Sequence, residues 1–452
     1  RSLWESRKSK VRVAYNFPTF KEFIKKSTRG LGKSGMVWDK IIVKKEIDRP
    51  KFVYDFTVNN PYHNFIANNF VVSNCGTRLL LSDLTYDEIK PYLEKLATEL
   101  NKTIPSGVGS TGKIKLDKSA MNRVLSFGAK RLVEQGYGEK EDLERCESYG
   151  NIKEADPSKV SEKAKSRGQD QLGTLGSGNH FLEIQKVSQI FNEEVAKIFG
   201  LYPNQITLLI HTGSRGLGHQ VCTDYVHLMT KVLSRYNIKL PDKELACAPF
   251  YSLEGQSYFA AMASAANFAW ANRQVITHLV RQVWQKFFNR SIKVLYDVAH
   301  NIGKIEEHEI DGKKMKLIVH RKGATRAFPP SHSELPKVYQ SVGQPVLIPG
   351  SMGTASYILV GNPEAKDSFY SVNHGAGRTM SRAAAKRKIW GEELIRQLNK
   401  QGIIVKCGSV AGLAEEAPEA YKDIDHVVNI VSGAGLAKKV AKVIPLAVIK
   451  GE

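Results

Sequence analysis

The hydrophobic pattern changes character near residue 75. Between residues 36 and 58 apolar and polar positions alternate. The β-branched Ile41-Ile42-Val43 and the apolar Phe52-Val53-Tyr54 in this stretch predict strands. Beyond Cys75 the period lengthens. Thr85-Tyr86-Asp87-Glu88 has the form of a capping box, and Ile89, Tyr92, Leu93, Leu96 and Leu100 follow at helical spacing. Residues 120–135 predict a second helix stopped by Gly136, residues 253–289 the longest helix, and residues 379–400 and 412–440 further helices. Strands are predicted at Ile206–Ile210, Val294–Val298, Met315–Val319, Val346–Ile348, Tyr357–Val360, Ile403–Val405 and Ala447–Ile449. The Lys-, Ser- and Asp-rich stretch 150–172 predicts a mobile surface loop. Helices and strands alternate without a regular βαβ repeat, so the expected core is α+β with a mixed sheet. There is no internal repeat and no extended low-complexity tract.

Composition sharpens this picture. The chain has 452 residues, 42% hydrophobic and 25% charged, enough for two or three domains with substantial cores. No apolar run approaches the eighteen or so residues of a membrane helix, and no secretory leader is present, so a cytoplasmic protein is expected. The start at Arg1 suggests a fragment or a processed product. Net charge is +21. Residues 1–74 hold 15 Lys and Arg against 6 Asp and Glu, a net +9, and the remainder carries +12. A basic excess spread over the chain suits a polyanion such as nucleic acid, or is simply a basic surface. Five scattered cysteines (Cys75, Cys146, Cys222, Cys247, Cys407) form no CxxC and no disulfide framework, as in a reducing compartment.

The candidate chemistry follows the histidines. His211 comes straight after the strand ending at Ile210 and leads into Thr212-Gly213-Ser214-Arg215-Gly216. His300 follows Val298-Ala299. His180 sits between Gly176-Ser177-Gly178-Asn179 and Phe181-Leu182, and His374 opens His374-Gly375-Ala376-Gly377-Arg378. Any one of them could be a strand-end imidazole satisfied by a neighbouring carbonyl. Four in the same context point to a shared polar site, because glycine turns let backbone approach a ligand and aim N–H groups at anions. Imidazoles with one thiolate make a metal site suited to Mn²⁺, Fe²⁺ or Zn²⁺. His219, His227, His278 and His426 fall in helical patterns, and His308, His320 and His332 lack the glycine context, so these read as structural. Gly350-Ser351-Met352-Gly353-Thr354-Ala355-Ser356 is a further phosphate-cradle candidate, but without GxxxxGK[ST] an ordinary P-loop is excluded.

Cys75-Gly76-Thr77-Arg78, Gly176 to Glu183, His211 to Gly216, His300-Asn301, Pro349 to Gly353 and His374 to Arg378, in this order, resemble the RtcB family of RNA-splicing ligases. The resemblance runs from Cys75 to the C-terminus. It implies a ligase joining an RNA 3′-phosphate or 2′,3′-cyclic phosphate to a 5′-hydroxyl, with GTP and two Mn²⁺ ions. Cys75, His180, His211 and His300 would be metal ligands, and His374 would carry GMP as a phosphoramidate. The guanylate would lie among Asn179, His180, Phe181, Leu182, Glu183, His300, Asn301, Pro349, Gly350, Ser351, Met352, Ser356, Gly375, Ala376, Gly377, Tyr421 and Lys450. Arg215, Lys322, Arg326 and Arg378 would contact RNA phosphates, or serve only as solvated surface. The family's partners are RNA, tRNA halves above all, and a small activator, archease. A metal-dependent hydrolase opening cyclic phosphates and a non-catalytic RNA-binding module remain the alternative readings.

A second resemblance precedes the first. Val53 to Val58, His63-Asn64-Phe65 and Phe70-Val71-Val72-Ser73-Asn74 before Cys75 resemble the C-terminal splicing block of inteins. This implies a small all-β, Hint-like remnant over residues 1–74 and a ligase domain over 75–452. Asn74 would cyclise, Cys75 would be the first residue after the splice, and Asp55 and His63 would assist. The usual penultimate His is Ser73. The ligase family has a metal-binding Asp three residues before its Cys, and here that position is Val72. Splicing would therefore complete the metal site, and the upstream part of both the intein and the ligase would lie outside this chain.

Overall fold

The computed structural model describes residues 74–240, 245–310 and 312–451. The strands expected at 36–58 and the whole proposed remnant up to Ser73 lie outside the described residues. Leu79, Leu80 and Leu81 alternate between two apolar layers: Leu79 and Leu81 join one core, Leu80 and Leu84 the other. A strand covered on both faces reads as a continuous apolar run. This is strand β1 (Gly76–Thr85), an interior strand of the main sheet.

The sheet joins β1 to β2 (Phe181–Ile190), β3 (Gln205–Thr212), β4 (Lys293–Ala299), β8 (Pro345–Ile348), β9 (Ser356–Gly361) and β12 (Ala437–Lys450), in the order β4-β1-β3-β2-β12-β9-β8. All these pairings are antiparallel. β11 (Ile404–Cys407) adds a parallel pairing to β12, which makes the sheet mixed. β5 (Asn301–Ile310) and β6 (Lys313–Lys322) form a separate ribbon, and β7 (Ala324–Arg326) pairs with β10 (Ser371–Asn373).

Helices cover the sheet. The capping box at Thr85 is present, with Glu88 accepting from the Thr85 backbone N–H at 2.7 Å, and helix α1 (Leu93–Thr103) follows it. Helix α2 (Lys118–Glu134) starts at the Asp117 cap. Helix α3 (Arg215–Val232) leaves the end of β3, and α4 (Leu253–Phe288) runs through the first core. Residues 261–277 of α4 are buried on every face, so the apolar positions run all round and the polar Asn267, Asn272, Arg273 and Gln274 are hydrogen-bonded inside the protein. Helix α5 (Arg382–Lys388), α6 (Gly391–Lys400) and α7 (Ile424–Gly433) complete the outer layer.

Two expectations change. Residues 150–172 are not a bare loop: they form a helix over Glu162–Gly168, and Val160, Ala164 and Leu172 enter the core. The single helix expected over 412–440 is broken: short helical turns lie within residues 410–420, α7 runs only over Ile424–Gly433, and β12 begins at Ala437, where backbone pairing with both β2 and β9 overrides the Val-rich helical spacing. Among the described residues, no helix is long and apolar enough to cross a membrane.

Candidate metal centre and nucleotide cavity

The antiparallel order brings strand starts and strand ends to one edge. Gly76 is opposite Ala299 and Thr212, Phe181 is opposite His211, and Phe181 is also opposite Lys450. Cys75 and His180, each one residue before a strand, therefore meet His211 near the end of β3 and His300 just past β4. Three backbone hydrogen bonds extend the row: His300 N–H to Cys75 O (3.0 Å), Gly323 N–H to His300 O (3.0 Å) and His374 N–H to Gly323 O (3.1 Å).

The side chains converge. Cys75 Sγ is 3.1 Å from His180 Nε2, and His211 Nε2 is 3.1 Å from His300 Nε2. Donor atoms of the buried Cys75, His211 and His300 all lie within 4.8 Å of one another. Ligands bonded at roughly 2.0–2.3 Å to one tetrahedral ion stand about 3.3–3.8 Å apart, so the cluster fits an ion with little movement. Nδ1 of His180, His211 and His300 is buried without a hydrogen-bond partner. Burial holds all three imidazoles neutral: His180 falls to about 3, helped by the Arg215 charge, and His211 and His300 lie well below the usual value. Burial pushes the Cys75 thiol up to about 12, opposed by the Arg273 charge. Neutral imidazoles and a thiol that ionises on metal binding are the donor set of a soft-to-borderline divalent cation.

Close packing fixes these positions. A Cβ at Gly176 would lie 1.8 Å from His180 Nδ1. Behind Gly76, where a Cβ would lie 2.8 Å from the guanidinium carbon, sits Arg273 of α4. Its Nε and Nη2 each donate to Asp297 of β4 at 2.8 Å, and Nη1 donates to Thr212 O of β3 at 2.9 Å. Arg78 of β1 adds a 2.7 Å bond to the same carboxylate. The buried Arg273 thus ties β3 to β4 and backs the start of β1 at Gly76, so it supports the three strands that deliver Cys75, His211 and His300. Sequence reasoning missed it, although an Arg just after the Ala-rich stretch of this helix was a usable signal.

The His374 ring lies against His300, with centroids 4.4 Å apart, and faces a cavity of about 220 Å³. Of the residues expected around a guanylate, Asn179, Phe181, Pro349–Met352, Gly375–Gly377, Tyr421 and Lys450 line this cavity, and His211 and His374 form its metal-side wall. Gly350 N–H donates to Ser356 Oγ at 3.1 Å, so Ser356 braces the Pro349–Met352 loop from behind. Leu182 is buried in the first core and Glu183 is buried beneath the wall. His180, His300 and Asn301 stand on the metal side and do not line the cavity. Burial raises the Glu183 carboxyl to about 8, while Gln185, donating to it at 2.8 Å, and the Lys450 charge oppose the rise. Lys450 Nζ donates to the Gly178 carbonyl.

The structure adds Arg378, Arg382 and Glu416 to the cavity. Arg378 Nη1 donates to Tyr421 Oη (2.9 Å) and Glu416 (3.3 Å), and its cation lies 4.8 Å from the Tyr421 ring centre. Arg215 sits beside the cluster, donating to Thr174 Oγ1 and the Gly107 carbonyl, both at 2.9 Å. Lys322 is exposed. Arg326 does not fit a phosphate contact. It is 1% exposed, pairs with Glu334 at 2.6 Å, and donates to Gln344 at 3.0 Å. His308 is held by Glu306 at 3.0 Å and His332 stacks on Phe328 at 3.5 Å, both structural as expected. Asn74 is buried, with Nδ2 donating to Met262 O at 2.8 Å.

A buried Cys/His cluster that could hold a metal ion lies beside a glycine-walled cavity lined by Arg378, Arg382 and Lys450, with His374 between them. Sequence comparison supplies the family. The model of "tRNA-splicing ligase RtcB" matches residues 43–451, and the chain belongs to the RtcB family. Relatives named tRNA-splicing ligase RtcB include that of Pyrococcus furiosus, 52% identical over the whole of this chain and 47% of its own length. That of Methanocaldococcus jannaschii is 54% identical over 98% of this chain and 46% of its own length. The chain thus spans about half the length of these curated relatives. The Thermococcus kodakarensis relative is 53% identical over 84% of this chain and 80% of its own length.

Proposed function

We propose that the chain carries the catalytic core of a GTP- and Mn²⁺-dependent RNA ligase. It would join 3′-phosphate or 2′,3′-cyclic phosphate ends to 5′-hydroxyl ends, with tRNA halves as substrates. The observation that carries this reading is the position of His374, in ring contact with the metal-type cluster on one side and facing the nucleotide-sized cavity on the other. Cys75, His180, His211 and His300 would hold the metal ions. Bound there, such ions supply Lewis-acid polarisation of phosphate oxygens.

The chain's own groups account for the rest. Burial lowers the His374 ring, which the Gly323 backbone only partly offsets, so the imidazole is the neutral nucleophile at physiological pH. It attacks the α-phosphorus of GTP, forming an N–P bond and releasing pyrophosphate. An RNA 3′-phosphate takes the GMP, and the 5′-hydroxyl then displaces it. The Pro349–Met352 and Gly375–Gly377 backbones cradle the nucleotide, and Arg378, Arg382 and Lys450 offset phosphate charge. The neutral carboxyl of Glu183 can donate as well as accept a hydrogen bond behind the Asn179–Phe181 turn.

We also propose that residues 1–74 are the tail of an intein and 75–452 the ligase domain. The sequence block ending at Asn74 supports this. So does the contrast between long relatives matched along nearly all of this chain and a shorter one matched over 84% of it. The test of the ligase reading is joining. The spliced full-length protein should join 3′-phosphate to 5′-hydroxyl RNA only with GTP and Mn²⁺. Opening of a cyclic phosphate without joining or GTP would favour the hydrolase instead.

A further inference from the structure

Tryptophan is rarely left in water, because it is the largest apolar side chain. Trp270 and Trp284 are fully buried here, but Trp390 is 81% exposed. Its backbone is nevertheless fixed. Leu394 N–H donates to Trp390 O at 3.0 Å to start α6, and Ile389 before it closes α5 through Ala385 O at 2.9 Å. Ile389 packs on the second core, and the Gly391 backbone is pressed against Val410 O. The ring is therefore held out on a rigid corner between two helices.

The corner joins the cavity through a basic helix. Arg382, at the start of α5, lines the cavity, where it pairs with Glu415 and Glu416 at 3.6 and 3.4 Å. Lys386 pairs with Glu415 at 2.6 Å. Arg387 and Lys388 are exposed and form no ion pair among the described residues. Exposed Lys422 adds a cation at the rim, its backbone N–H donating to Gly377 O at 2.9 Å. Seven helical residues span about 10 Å, the length of roughly three stacked nucleotides at about 3.4 Å each.

We propose that the Arg382–Trp390 segment is a landing face for a single RNA strand. The strand's terminal phosphate enters the cavity, Arg387, Lys388 and Lys422 contact the following phosphates, and a base about three nucleotides in stacks on Trp390. Charge complementarity and continuity with the cavity favour a nucleic-acid strand over a protein, since a flat aromatic beside cations serves any base without reading sequence. The inference rests on the RNA-joining reading of the site.

The test is anisotropy of a fluorescein-labelled ten-nucleotide single-stranded RNA bearing a 3′-phosphate, titrated with the whole chain. Trp390→Ala should weaken binding roughly 5- to 150-fold, the range found for loss of one base-stacking aromatic. Trp390→Phe should return it to within about threefold of wild type. The Arg387→Ala/Lys388→Ala double variant should lower the slope of log affinity against log salt by about 1.4, for two single-strand phosphates. The inference is overturned if Trp390→Ala binds within twofold of wild type, or if Phe does not restore binding. It is also overturned if an acidic peptide of equal charge competes as well as RNA in a Trp390-dependent way, which would make the face a protein dock. GMP transfer by the spliced wild-type protein separates this from the underlying reading. Transfer present with Trp390 neutral to RNA binding sinks only the landing face, and transfer absent sinks the ligase reading itself.

Discussion

Replacing Arg273 by Met should weaken both the fold and the metal centre. The guanidinium makes three hydrogen bonds to buried acceptors, two to Asp297 at 2.8 Å and one to Thr212 O at 2.9 Å. Both members of the Arg273–Asp297 pair are essentially inaccessible. Arg78 remains on Asp297 at 2.7 Å, so the carboxylate keeps one partner and loses one. Breaking such a buried pair from one side costs about 3–5 kcal/mol. Three lost bonds involving a charged group give a total of the same order. Arg273→Lys keeps the cation but lacks the fork that reaches two strands at once, and should cost about half as much. Urea unfolding followed by near-ultraviolet circular dichroism measures the stability loss. Calorimetric Mn²⁺ titration should show a 10- to 100-fold weaker site in both variants, as for other supports of metal ligands. A Met variant that costs less than about 1 kcal/mol, or binds metal like wild type, would refute the claim that Arg273 aligns the three ligand-bearing strands.

Metal affinity should rise about tenfold per pH unit between pH 6 and 8, because the Cys75 thiol, held at about 12, must lose its proton to bind. The slope should vanish in Cys75→Ala, since the neutral His180 contributes no proton there. Gly176→Ala should abolish metal binding with the circular dichroism spectrum intact, because its methyl group would overlap His180. Glu183 is raised to about 8, so its contribution to stability is fully present below the unfolded value near 4.5 and is lost as pH rises through 8. Up to about 4–5 kcal/mol would be lost over that span. Glu183→Gln should flatten the pH 5–8 stability profile measured in urea, and an unchanged profile would contradict the neutral carboxyl.

That the histidines gather at one sheet edge was legible because β3 and β4 carry apolar runs that stop at His211 and His300, so the imidazoles stand out against their context. The partners that orient them were not. Arg273, Asp297 and Arg78 are 219 residues apart at their extremes and meet only through the fold. β1 escaped notice because Leu79–Leu81 faces two cores and shows no alternation. The first half of β12 carries Lys438, Lys439 and Lys442 among Val residues, a spacing that also suits a helix, and only pairing with β2 and β9 decides it. Arg326 looked like a phosphate contact beside Lys322, yet its environment of Glu147, Glu334 and Gln344 is assembled from distant segments.

The central claim is that His374 works as a nucleophile between a metal centre and a nucleotide cavity. Incubating the spliced full-length protein with α-labelled GTP and Mn²⁺ tests it most directly. The account predicts an acid-labile GMP adduct on the protein that disappears with chelator and in His374→Ala. No adduct in the wild type, or one that persists in His374→Ala, would contradict it.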